Sequence, residues 1–91
     1  MSKIKTFYNK RIWLNDENCP STGSMVAYDG LEIIDSKSYI NQYLKISDCY
    51  HIIKLHRAEY DTEKDFLNKL ILMRNELNLY IEHLQNKMNN E

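Results

Sequence analysis

The side chains of this chain best equipped for chemistry are its aromatics and its arginines and lysines, and the chemistry they suit is recognition. Arg11 and Trp13 stand two residues apart, and Lys54 and Arg57 follow in a second extended stretch. Seven tyrosines and two phenylalanines lie around them. Bases and nucleotides are held by stacking on aromatic rings and guanidinium planes, so this grouping points to a nucleotide-bearing ligand. Half-buried tyrosines in a sheet are the commoner reason for such a composition. Arg74 adds a cation on the flank of an apolar helix face, with Asn78 and Gln85 continuing a polar strip. A cation in that position should face a carboxylate or an anionic ligand lodged between helix and sheet or between subunits, unless its head simply reaches water. Arg11, Trp13, Arg57, Arg74 and Asn78 are the candidate ligand-binding residues.

Other chemistries have weaker support. Cys49 and His51 share one face of an expected strand, with His56 and a distant Cys19, but no CxxC or HExxH spacing is present. No metal and no cofactor is expected, and Cys49 reads as a small core residue. Asp48, Cys49 and His51 are close in sequence, yet alternate strand residues face opposite ways, so they do not form a nucleophile, base and acid in line. Ser21-Thr22-Gly23-Ser24 could cradle an anion, but no lysine follows and a strand rather than a helix comes next. The expectation is a protein that is not an enzyme.

With 91 residues and a formal net charge of −1, the chain has room for one domain and no strong field. Residues 1–60 carry eight Lys/Arg against seven Asp/Glu, and residues 61–91 four against six. Neither half would attract a long nucleic acid or an anionic membrane. The longest aliphatic run, Leu70 to Met73, is far short of the roughly 20 residues of a membrane span. Nothing at Met1 to Lys5 resembles a secretory signal, so a cytoplasmic location with reduced cysteines is expected.

The elements that must position these residues follow from patterning. Lys3 to Leu14 reads as a strand, with Ile4, Thr6, Tyr8, Ile12 and Leu14 on one parity and Phe7, Arg11 and Trp13 on the other; neither is cleanly polar, which suggests either a strand covered on both faces or a bend near Asn9-Lys10. Asn15 to Gly23 reads as a loop. Ser24 to Tyr28 and Leu31 to Ile34 read as two strands joined by Asp29-Gly30, the strongest hairpin signal in the chain. Asp35 to Ser38 is the next turn. Tyr39 to Ser47 and Tyr50 to Arg57 are two further strands, joined at Asp48-Cys49 by a turn in preference to a bulge.

From Asp61 to Met88 the period changes to that of a helix. Thr62 and Asp65 have capping-box spacing, and Phe66, Leu70, Met73, Leu77, Tyr80 and Leu84 recur at four and three. The fold expected is α+β: a small antiparallel sheet of about five strands in a meander over residues 1–60, packed against one long C-terminal helix over 61–88. That helix, about 40 Å long, exceeds the diameter of about 33 Å expected of a compact domain this size. Its overhang, with Leu72 and Leu79 on the opposite side, implies a homo-oligomer formed through the helix, most simply a two-fold dimer.

The stretches RIWLNDENCPSTGSMVAYDG (Arg11 to Gly30) and ISDCYHIIKLHR (Ile46 to Arg57), followed by a Leu-rich helix, resemble small phage and mobile-element proteins of low-GC bacteria. The resemblance implies a counter-defence setting: a sponge that sequesters a small nucleotide-derived signal in a pocket between subunits in the host cytoplasm. The alternative is an inhibitor that binds a host defence enzyme directly, a setting the resemblance also implies; on the residues alone, its surface would be Leu72, Leu79 and the Asn15–Gly23 loop.

Overall fold

The computed structural model describes residues 2–15 and 23–90. Most of the expected Asn15–Gly23 loop, including Cys19 and the Ser21-Thr22 pair, lies outside them. The described elements are strands β1 (Ser2–Trp13), β2 (Ser24–Ile34), β3 (Lys37–Ser47) and β4 (Ile52–His56), then helix α1 (Glu63–Asn89). The strands form one antiparallel sheet in the order β1-β2-β3-β4, so the chain is α+β with four strands rather than five. It divides into a sheet unit, Met1–Arg57, and a helix unit, Ala58–Glu91.

The lost strand boundary is at Asp29-Gly30. These residues do not turn; they lie inside β2, opposite Gln42 and Asn41. The turn expected over Asp35 to Ser38 is present, tightened to Asp35-Ser36, whose φ angles of 50° and 70° give the doubly left-handed backbone of a two-residue hairpin. β2 and β3 then pair residue for residue from Ser24↔Ser47 to Ile34↔Lys37. That continuous ladder outweighs the local turn preference of Asp-Gly. Gly30 serves a different need, close approach: a Cβ there would stand 2.5 Å from Tyr28 Oη and 2.8 Å from the Lys5 carbonyl oxygen.

β1 pairs with β2 through one irregularity, where Thr6 and Tyr8 face the consecutive residues Gly30 and Asp29. Phe7 is the extra residue of a bulge. The break in the parity pattern is therefore at Phe7 and not at Asn9-Lys10. Lys3, Lys5, Lys10 and Arg11 along this edge strand, together with the bulge, discourage pairing with a further strand.

Directly paired residues of an antiparallel ladder share a face, and successive rows alternate. One face carries the rows Ile12–Met25–Ile46–Ile53 and Lys10–Ala27–Leu44–Leu55. Farther along the same face come Leu31 and Ile40, beyond a Gln42 Nε2 to Asp29 Oδ1 hydrogen bond of 3.0 Å. This is the apolar face. The other is aromatic and basic.

In α1 the expected capping box is present. Asp65 N donates to Thr62 Oγ1 at 3.1 Å, and Thr62 N donates to Asp65 Oδ2 at 2.9 Å. The Thr62 amide, and then its hydroxyl, hold the Asp65 carboxyl below its usual value. Phe66 is buried, at 6% exposed, and Leu70 and Ile71 are half-buried. From Leu72 onward every described residue of the helix is exposed.

Gly30→Ala should cost about 1–3 kcal/mol in urea unfolding, because the new methyl meets backbone as well as the Tyr28 ring; an unchanged midpoint would contradict the close approach. Thr62→Ala should cost about 1 kcal/mol, seen as earlier loss of helical circular dichroism on heating.

Candidate ligand-binding face

The aromatic and basic face is assembled by register. Three of its rows are adjacent: Trp13–Ser24–Ser47–Ile52, then Arg11–Val26–Lys45–Lys54, then Asn9–Tyr28–Tyr43–His56. Within these rows each strand gives the face every second residue, so residues as many as 23 positions apart in sequence stand side by side, as Ser24 and Ser47 do. The middle row places three cations across the sheet. With strands about 4.8 Å apart, Arg11 on β1 and Lys54 on β4 are separated by about 14 Å.

Side-chain contacts order the rings. Tyr28 and Tyr43 stack with centroids 5.1 Å apart and planes at 16°. Lys54 Nζ lies 4.2 Å from the Tyr43 centroid, and the Arg11 guanidinium carbon lies 6.0 Å from that of Trp13. Both are cation–π arrangements. The Tyr28 hydroxyl is 3.3 Å from Thr6 Oγ1, which leaves it over Gly30. Ser24 and Ser47 are joined through their hydroxyls at 2.8 Å. Trp13 remains 66% exposed, so its ring is open to a ligand. Among the paired residues of this face, Glu32 contributes the one carboxylate, two rows beyond Tyr28, opposite Ile4 and Tyr39.

At the Trp13 end an open groove of about 510 Å³ lies between Leu14, Asn15 and Gly23 on one side and Ser47, Asp48 and Tyr50 on the other. Asn15 Oδ1 accepts from Gly23 N at 2.6 Å. The far wall is the β3–β4 turn. Asp48 Oδ1 accepts from the amides of Tyr50 at 2.9 Å and His51 at 2.8 Å, and the Asp48 amide donates to the His51 carbonyl at 2.9 Å. Asp48 to His51 is thus a four-residue hairpin loop, longer than the Asp48-Cys49 turn expected. Cys49 is exposed at its tip, not a core residue, because the loop leaves the sheet before reaching it. No group of three metal-ligating side chains occurs among the described residues.

Of the candidate residues, the structure brings Arg11 and Trp13 together. Arg57 follows β4, its amide bonded to the Gln42 carbonyl at 2.9 Å, which puts it in the Asp29–Gln42 row of the apolar face. Arg74 and Asn78 are exposed one turn apart on α1, and the Arg74 guanidinium donates to Asn75 Oδ1 at 3.4 Å. Sequence reasoning did not single out Tyr28, Tyr43 and Lys45. Their signal was parity along β2 and β3, which became readable only with the register.

In comparisons with protein families, curated proteins and solved structures, nothing matches this chain. Its own residues carry the functional reading.

The Tyr50 and His51 amides hold the Asp48 carboxyl below its ordinary value of 3.8. A carboxylate whose pKa is lowered on folding stabilises the turn above the ordinary value, and the contribution is lost as pH falls through the lowered one. In an NMR titration the Tyr50 and His51 amide signals should shift with a midpoint below 3.8, and Asp48→Ala should abolish that step.

Proposed function

We propose that this chain is a non-enzymatic binding protein that holds a small nucleotide-derived anion on the aromatic and basic face of its sheet. The observation that supports this most directly is the Arg11–Val26–Lys45–Lys54 row, with Trp13 on one side and the Tyr28–Tyr43 stack on the other. Cations placed between stacking rings suit a phosphate joined to a base. Around the rings the Lys and Arg residues fill a single row; the rows beyond it carry Asn9, Thr6 and Asn41, then Glu32, and Lys37 follows only in the last row, beside the Asp35-Ser36 turn. That reach of about 14 Å suits a compact ligand with one or two bases better than a long strand, which needs a continuous basic track. Arg11 and Trp13 keep their assigned role, and Lys45, Lys54 and Tyr43 join them.

In this reading the protein works as a homo-oligomer through α1, with a second copy closing the pocket. The resemblance to phage proteins makes the ligand a host alarm signal, which the protein would sequester without altering it. The apolar row Ile12–Met25–Ile46–Ile53, in which the three isoleucines are exposed, favours a second reading, an inhibitor that covers a host enzyme. A stoichiometric protein partner recovered from host lysate, with no small molecule bound, would favour it.

Mono- and dinucleotides, cyclic and linear, together with ADP-ribose, should include at least one ligand that raises the melting temperature and quenches Trp13 fluorescence. Lys54→Ala and Arg11→Ala should each weaken that ligand about tenfold, by loss of a charge-assisted contact. Failure of every ligand to move either signal would sink the proposal.

A further inference from the structure

Along α1 runs a better seam than the one through Phe66, exposed at every position but the half-buried Leu70. Leu67, Leu70, Arg74, Leu77, Ile81, Leu84 and Met88 recur at three and four throughout. Written as heptads, the d positions are Leu70, Leu77 and Leu84, and the a positions are Leu67, Arg74, Ile81 and Met88. Leucine at d with a single charged residue at a is the pattern of a coiled coil of few strands. We infer that α1 pairs with α1 of a second copy as an antiparallel two-stranded coiled coil, with Arg74 of each chain packed against Leu77 of the other.

Charge chooses the direction. A parallel, in-register pair would place the two Arg74 guanidinium groups in the same layer. Between Leu67 and Met88 no a, d, e or g position carries an Asp or Glu to offset them. An antiparallel pair puts each Arg74 opposite a leucine, where its stem packs and its head reaches water at the edge. The next layers outward are Leu70 with Ile81 and Leu67 with Leu84. At the flanking g positions Met73 meets Tyr80 of the other chain, a favourable sulfur–aromatic pair. The Arg74–Leu77 layers sit at the middle of Glu63–Asn89, so the two helices overlap end to end and their dipoles oppose.

The area is sufficient. Leu67, Met73, Leu77, Tyr80, Ile81, Leu84 and Met88 are 38–69% exposed in the single chain, and covering them removes about 700 Å² per chain, close to the roughly 800 Å² a side of a standard stable interface. Leu72 and Leu79 fall at the outer f positions and take no part.

This inference rests on the homo-oligomeric part of the proposed function and is independent of the ligand. In the full-length chain, light scattering should give two subunits, and Ile81→Asp should give one while Leu79→Asp leaves two. With Cys19 and Cys49 replaced by serine, mild oxidation of a mixture of Leu70→Cys and Ile81→Cys proteins should give a disulfide between positions 70 and 81. Leu70→Cys alone should give none. A monomer at every concentration, or an efficient disulfide between two copies of position 70, overturns it. Nucleotide binding is read separately by thermal shift, so either idea can fail alone.

Discussion

The constraint on which the sheet depends is the residue-for-residue pairing of β2 with β3, set by the left-handed turn at Asp35-Ser36. A strand places alternate side chains on opposite faces, so a slip of one residue would exchange the two faces along the whole ladder. Tyr28 would lose Tyr43, and Asp29 would lose Gln42. The eleven-residue length of each strand makes such a slip costly, because every row must be remade. Face composition, and with it any binding chemistry of the sheet, follows from one short turn.

The helix was the most legible part of the sequence, since its signals are local: a capping pair three residues apart and an apolar period sustained from Phe66 to Met88 of a 27-residue helix. The strands were visible as extended stretches, but their limits were not. Asp29-Gly30 has the composition of a turn and the role of a strand, because pairing on both sides over the length of β2 overrides a two-residue preference. Asp35-Ser36 lacks glycine and still turns, since aspartate tolerates positive φ and the strand ends there.

The candidate site was only partly legible, for a related reason. Arg11 and Trp13 could be matched as alternate residues of one strand. Lys45, Tyr28 and Tyr43 could not be added, because their adjacency is a property of register between strands. Cys49 was misjudged in the same way, and the row that Arg57 joins was not readable: the setting of each is decided by where a loop or a ladder stops. The Arg74 strip was seen, but the choice of seam on a broad apolar face needed the exposure of the individual side chains.

The single extra residue at Phe7 acts on β1 as an inserted letter acts on a reading frame. Were the alternation unbroken from Ser2, Arg11 and Trp13 would address the side of the sheet occupied by Ile46 and Leu44, away from Lys45 and Lys54. With Phe7 set outside the count, the two halves of the strand keep their sequence and change phase. Ile4 and Thr6 upstream, and Asn9, Arg11 and Trp13 downstream, therefore look the same way. The gathering of cations and rings on one surface is thus bought by a residue that belongs to no row of it.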